Sequence, residues 1–165
     1  MSSMYIRQIN CNKSPLAFDS ICHLMRKHHN AVYLLQEPPK FRKGKLAGLP
    51  RDYVSYGSSD SRAIICAPKI LPLFLSHEFS GKDYTVCLFE DGDYKIFLCS
   101  IYLDGTYSNI ISPKLTNMAD FFADNKVNAV IGLDTNAHSV FGIVRRLILV
   151  VQTSKNSLFN IILVL

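Results

Sequence analysis

Asp134, Asn136 and His138 stand together in the stretch Gly132 to Ser139, directly behind an apolar run that begins near Val127. A carboxylate and an amide at the end of a buried strand are the groups that hold a hard cation and meet a phosphate. Asn128 to Ile131 reads as that strand, being short, continuous and rich in branched side chains. In α/β folds the carboxyl edge of the sheet is where ligands collect. Asp134 and Asn136 are therefore expected beside a bound divalent cation and a phosphate. The plainer alternative is a turn in which both residues bond their own backbone.

Three other polar residues close strand-like runs in the same way. Tyr5 to Ile9 alternates as a first strand and runs into Asn10. Ala31 to Leu35 is a second buried strand, ended by Gln36-Glu37-Pro38-Pro39. The two prolines cannot continue a ladder, so Glu37 sits at a strand tip. Ile96 to Leu103 is apolar on both faces and carries Tyr102 near its end. Mg²⁺ asks for one or two carboxylates with waters and phosphate oxygens, which Glu37 beside Asp134 and Asn10 would satisfy. Cys and His are not clustered at zinc spacing.

The elements between these tips must bring them to one edge. Ser14-Pro15 is a helix start, with Ala17, Ile21, Leu24, Met25 and His28 predicted on the inner face. The basic turn Arg26 to His29 suits the negative end of that helix, and capping accounts for His28 and His29. Strand, helix and strand then form a βαβ unit, so Asn10 and Glu37 should leave the sheet at the same edge. Ser61-Arg62-Ala63 leads into a strand over Ile64 to Ala67 that Pro68 stops, and Leu71 to Leu75 reads as an edge strand because of Pro72. Tyr84 to Phe89 and Tyr94 to Leu103 form a hairpin about Asp91-Gly92. Ser112-Pro113 opens a second helix with Leu115, Met118, Ala119 and Phe122 facing inward.

After Gly142 the character changes. Arg145 to Val151 and Leu158 to Leu165 are apolar runs that read either as two further strands or as sequence foreign to the domain. Neither reaches the roughly twenty residues needed to span a bilayer. A domain over 4–142 with a divergent apolar tail over 143–165 is expected, the chain being truncated or altered at its end.

With 165 residues, 48% of them hydrophobic and 19% charged, one folded domain is expected. A net charge of +5 and a pI near 9.0 favour an anionic partner, nucleic acid before membrane. Lys40, Arg42, Lys43 and Lys45 crowd one loop around Gly44, either as a solvated face or as contacts to phosphates. Five cysteines without paired spacing do not make a disulfide scaffold, and Cys66, Cys87 and Cys99 read as small buried hydrophobes. No signal peptide opens the chain, so a reducing intracellular compartment is expected.

The order of segments is informative as a whole: Gln8-Ile9-Asn10-Cys11-Asn12-Lys13-Ser14, Leu34-Leu35-Gln36-Glu37-Pro38, Ser61-Arg62-Ala63-Ile64-Ile65, Ser100-Ile101-Tyr102-Leu103, and Gly132 through Ser139. From about Tyr5 to Gly142 the sequence resembles the endonuclease/exonuclease/phosphatase superfamily, more narrowly the apurinic-endonuclease-like domain of non-LTR retrotransposons. The resemblance implies a four-layer α/β sandwich, here with an incomplete second sheet. It implies phosphodiester hydrolysis with Mg²⁺ (Mn²⁺ as a substitute), nicking target DNA in the nucleus, with a reverse-transcriptase domain downstream in intact relatives. By position, Glu37 is the metal-binding carboxylate and Asn10 helps hold that site. Tyr102 contacts the scissile phosphate, Asp134 aligns or deprotonates the attacking water, and Asn136 donates to the phosphate. Arg62, Lys43, Lys45 and His138 are expected on the substrate side.

The sequence also departs from that pattern. The superfamily's late Ser-Asp-His segment does not follow Gly142, and the tail holds no His, Asp or Glu. Leu133 precedes Asp134 where Gly is usual, and Asp104 stands where Pro is common. These departures make a degenerate copy one expectation, with a non-catalytic DNA-binding remnant or a phosphatase as alternatives.

Overall fold

The computed structural model describes residues 4–104, 112–135, 146–151 and 161–164, the last two segments as backbone alone. The first strand, β1 (Met4–Asn10), leads into helix α1 (Pro15–Lys27), then β2 (Ala31–Gln36), β3 (Tyr53–Tyr56), β4 (Ala63–Pro68) and β5 (Leu73–Leu75). The hairpin β6 (Tyr84–Asp91) and β7 (Tyr94–Leu103) is followed by α2 (Pro113–Asp124), β8 (Asn128–Thr135), β9 (Arg146–Val151) and β10 (Ile161–Val164). Both helices begin as the sequence indicates. The hydroxyls of Ser14 and Ser112 accept from the amides of Ala17 and Leu115, with proline at the first helical position. Among the described residues no helix is long and apolar enough to cross a membrane.

Two five-stranded sheets result, ordered β10-β1-β2-β4-β3 and β5-β6-β7-β8-β9. Within the two terminal apolar runs, Arg146–Val151 and Ile161–Val164 are strands, β10 parallel to β1 and β9 antiparallel to β8. Each sheet contains a parallel pair through its middle: β1 with β2, and β7 with β8. Parallel neighbours end at the same edge, so Asn10 emerges beside Gln36-Glu37, and Tyr102 lies opposite Asp134 in register.

Three apolar clusters separate four layers. Ile6, Val32, Leu34 and Ile65 of one sheet meet Cys87, Leu98 and Val130 of the other in the central core. Tyr33, Leu35, Ile64 and Cys66 point the other way, onto Phe18, Ile21, Cys22 and Met25 of α1. Val86, Cys99, Ile101 and Ala129 do the same for Met118 and Phe122 of α2. With both faces covered, β2 and β4 are buried at every residue, which explains their continuous rather than alternating apolar sequences. The inner face of α1 is rotated from the predicted one: Phe18 and Cys22 are buried, whereas Ala17 and Leu24 are half-buried and His28 is the exposed C-cap. In α2, Ala119 is exposed and Phe121 packs in its place, in edge contact with Phe97. All five cysteines are free and buried, and burial pushes the Cys11 and Cys87 thiols up to about 12.

A belt of polar contacts joins the two sheets just inside the shared edge. Gln8 Nε2 donates to the Leu133 carbonyl at 2.8 Å. Gln36 Nε2 reaches Ser100 Oγ at 3.0 Å and the Gly132 carbonyl at 3.3 Å. Ser100 Oγ returns a bond to the Leu35 carbonyl at 3.0 Å, and Thr85 Oγ1 donates to that of Ala63 at 2.7 Å. Gly132 makes the approach possible: a Cβ there would stand 2.8 Å from Leu34 Cδ1 and 3.1 Å from Leu34 Cβ. Gly132→Ala should therefore lower unfolding stability by about 1–3 kcal/mol through overpacking. A lower urea midpoint with an unchanged slope is expected, and an unaltered midpoint would show slack between the sheets.

Candidate active site

Four side chains from four strands converge where the parallel pairs end. Asn10 Nδ2 donates to Glu37 Oε2 at 3.1 Å and also to Asp134 Oδ2, so one amide bridges carboxylates from different sheets. The Asn10 Oδ1 is turned to the backbone amide of Asn12 at 2.6 Å, which fixes which end of the amide faces the acids. The Tyr102 hydroxyl points at Glu37 Oε1 from 3.5 Å, the outer limit of a hydrogen bond. Asp134 is 4% exposed and the Glu37 side chain 12%, so both carboxylates are largely withdrawn from water. The exposed Lys13 ammonium stands 3.6 Å from Glu37 Oε1.

Glu37 turns sharply out of β2 with φ 47, a left-handed conformation that is costly for a residue with a Cβ. Backbone bonds hold it there. Its amide donates to the Arg62 carbonyl at 2.7 Å, and its carbonyl accepts from Lys13 at 2.8 Å. Asn12 (φ 48) and Lys13 (φ 57) are left-handed too, so the turn after β1 and the turn after β2 lock together. Strain of this kind collects where geometry matters more than local stability.

Arg62 ties this corner to the second sheet. Its Nε and Nη2 grip Asp83 at 2.5 and 2.9 Å, and Nη1 meets Asp104 at 2.5 Å. The guanidinium lies 4.8 Å from the centre of the Tyr102 ring, a cation–π contact. Hydrogen bonding to Asp83 first, and to Asp104 next, holds the guanidinium above its ordinary pKa. One residue therefore supports the backbone of Glu37 and the ring of Tyr102 together. Asp104, one of the departures from the resembled pattern, is one of its anchors.

The structure thus brings Asn10, Glu37, Tyr102 and Asp134 into one hydrogen-bonded cluster, with Arg62 against the Tyr102 ring. Lys43 and Lys45 are exposed on a tight turn beyond Glu37. There Arg42 and Lys45 exchange backbone bonds at 2.8 and 3.0 Å, and Lys43 (φ 50) and Gly44 (φ 73) turn the chain. Asn136 and His138 lie outside the described residues. Sequence reasoning did not single out Gln8, Gln36, Ser100 or Asp83. The first three carry a readable signal, a lone polar residue in or beside an apolar strand; Asp83 carries none.

Among the described residues no group of three or more His, Cys, Asp and Glu side chains surrounds a metal position. What is present is a pair of nearly buried carboxylates that meet at a single amide. That donor set suits a hard divalent ion, which takes one or two carboxylates and completes its shell with water and phosphate oxygens.

No protein-family profile and no curated protein sequence matches the chain. Solved structures do match it. The endonuclease domain of TRAS1, a telomere-specific non-LTR retrotransposon, superposes with a TM-score of 0.62 at 20% identity, over 80% of this chain and 58% of that domain. An endonuclease/exonuclease/phosphatase family protein from Leptotrichia buccalis gives 0.53 at 9% identity, over 86% of this chain and 69% of the other. Truncated TDP2 of Caenorhabditis elegans gives 0.50 at 16% identity, over 86% and 64%. The chain has the endonuclease/exonuclease/phosphatase fold. It spans a little under three fifths of the TRAS1 endonuclease domain.

Replacing Arg62 by Met keeps the stem and removes the clamp, leaving Asp83 and Asp104 facing each other part-buried. Arg62→Met should cost about 1–3 kcal/mol of stability in urea denaturation. Adding Asp104→Asn should recover part of that loss by removing one of two like charges. An unchanged midpoint in Arg62→Met would show the clamp to be idle.

Proposed function

We propose that this chain is a nuclease domain that hydrolyses phosphodiester bonds in DNA with Mg²⁺, after the manner of a retrotransposon endonuclease. The observation that carries the reading is the meeting of Glu37, Asp134, Asn10 and Tyr102 at one edge although they come from two sheets. Two carboxylates this near each other and this far from water call for a cation. Glu37 would hold the ion, with Asn10 fixing the carboxylate orientation, and the bound ion would offset charge building on the phosphate.

Every other role falls to the chain itself. Asp134, less exposed than Glu37, takes the proton of the attacking water. The Tyr102 hydroxyl donates to a phosphate oxygen, its ring held in place by Arg62. Asn136 would add a second donor, a role that rests on the sequence. Lys43 and Lys45, with Arg42 beside them, lie on an exposed turn suited to the phosphate backbone away from the cut. The likeness to a retrotransposon endonuclease, not the substrate alone, is what would go with a nuclear setting and a reverse-transcriptase domain in longer relatives.

Plasmid nicking tests this reading. The wild type with Mg²⁺ should convert supercoiled DNA to the open circle, and Glu37→Ala should slow conversion about a hundredfold or more. Equal nicking by both proteins would remove the claim. DNA binding that weakens with salt but never leads to nicking would select a non-catalytic binding module. Phosphate release from small monoesters with DNA left intact would select a phosphatase.

A further inference from the structure

Charge is divided between the two halves of the sandwich. Residues 1–72, which supply β1 to β4 and α1, hold eleven Lys and Arg against four Asp and Glu. Residues 73–135, which supply β5 to β8 and α2, hold four against nine. Segregation of this kind points to an anionic partner on the basic side. Part of the excess collects far from the strand tips. Helix α1 runs back along β1 and β2, so its last turn lies where those strands begin. There the Ala31 amide donates to the His28 carbonyl at 3.3 Å, and the Tyr5 amide to that of Asn30 at 3.3 Å. Strand β3 starts and β4 ends at the same edge, with Tyr53 opposite Pro68 and the Lys69 amide donating to the Asp52 carbonyl at 2.8 Å. The length of β2 sets this edge about 20 Å from Glu37.

Arg26, Lys27, His28, His29, Arg51 and Lys69 are all exposed along that rim. The negative end of α1 accounts for Arg26 and Lys27. It does not account for Arg51 and Lys69, which come from the loop before β3 and the turn after β4. Asp52 is the one acid among the described rim residues, and His29 Nδ1 takes it at 3.1 Å. Arg26 Nη2 is engaged by the Gly48 carbonyl at 3.2 Å. Lys27, Arg51 and Lys69 form no ion pair among the described residues. Exposed cations drawn from three elements, with no pocket between them, suit a charge that repeats along a line. A nucleic-acid backbone is such a charge, and contact with it needs no shaped cavity. A lipid surface would ask for several apolar side chains to insert, and on this rim exposed Ile70 stands alone in that respect.

We infer that this rim is a second phosphate-backbone surface, which holds nucleic acid at the far end of the sheets without reading its sequence. It goes beyond the nuclease reading and does not depend on it. The rim anchors the polyanion; the strand tips would do the chemistry.

Fluorescence anisotropy with the full chain in EDTA, where cutting is stopped, tests the surface. The probe is a labelled random-sequence duplex long enough to reach both edges. Lys27→Gln, Arg51→Gln and Lys69→Gln together should weaken binding at low salt about tenfold and reduce the salt slope by roughly 2–3. Lys95→Gln with Lys126→Gln, on the acidic half, should change neither quantity. In nicking assays the triple variant should raise KM and keep kcat. An unchanged salt slope in the triple variant, or an equal loss per charge in the control, overturns the surface. So does a fall in kcat with KM unchanged, which would mean that the rim acts through the strand tips. Unaltered DNA binding with lost binding to phosphatidylserine vesicles overturns it in favour of a lipid surface. A wild type that binds through the rim but never nicks removes the nuclease reading and leaves this one standing.

Discussion

The register between the two sheets is the constraint on which the site depends. Gln8, Gln36 and Ser100 cross from one sheet to the other within two residues of the edge where Asn10, Glu37 and Tyr102 emerge. Apolar packing alone would hold the sheets together but would tolerate sliding, because dispersion and hydrophobic burial are non-directional. A hydrogen bond in a dry interior is directional, and misplacing it leaves a buried polar group without a partner. The belt therefore fixes which residue of one sheet faces which residue of the other. Carboxylates more than ninety positions apart in sequence share an amide as a result.

Above the belt, the site is assembled at some local expense. Glu37, Asn12 and Lys13 take left-handed backbone conformations without being glycine, and they are held there by one another and by Arg62. Arg62 in turn is committed to Asp83 and Asp104, both from the second sheet's side of the molecule. Its charge is balanced by those two acids rather than directed at solvent. The positive charge turned to solvent near the site comes instead from Lys40 and the turn carrying Arg42, Lys43 and Lys45, while Lys13 faces Glu37. Charge for holding geometry and charge for attracting an anion are thereby divided between different residues.

The sequence made the strand tips legible because each couples a run of branched side chains to an abrupt polar stop. Glu37 before two prolines and Asp134 after Ile131-Gly132-Leu133 are cases of it. The helix starts were equally plain, since a capping serine followed by proline has few other uses. The inner faces of the helices were less so. Phe18 and Cys22 lie about one position round from the predicted stripe in α1, and a stripe chosen by spacing alone does not say where the sheet is. Strand β3 carries little signal because Tyr53–Tyr56 is only four residues, of which Tyr53 alone is buried, and its strand form comes from pairing with β4. The partners of Arg62 could not be read at all. Asp83 and Asp104 lie far along the chain, and only the fold brings them to it.

Glu37 and Asp134 meet at one amide, the arrangement on which the proposed cation site depends. The direct measurement is anomalous diffraction from crystals of the whole chain grown with Mn²⁺. One strong manganese peak bonded to the Glu37 carboxylate and beside Asp134, absent from Glu37→Ala crystals, is the result expected. A peak elsewhere, or carboxyl groups of Glu37 and Asp134 found on different faces of the molecule, would contradict it.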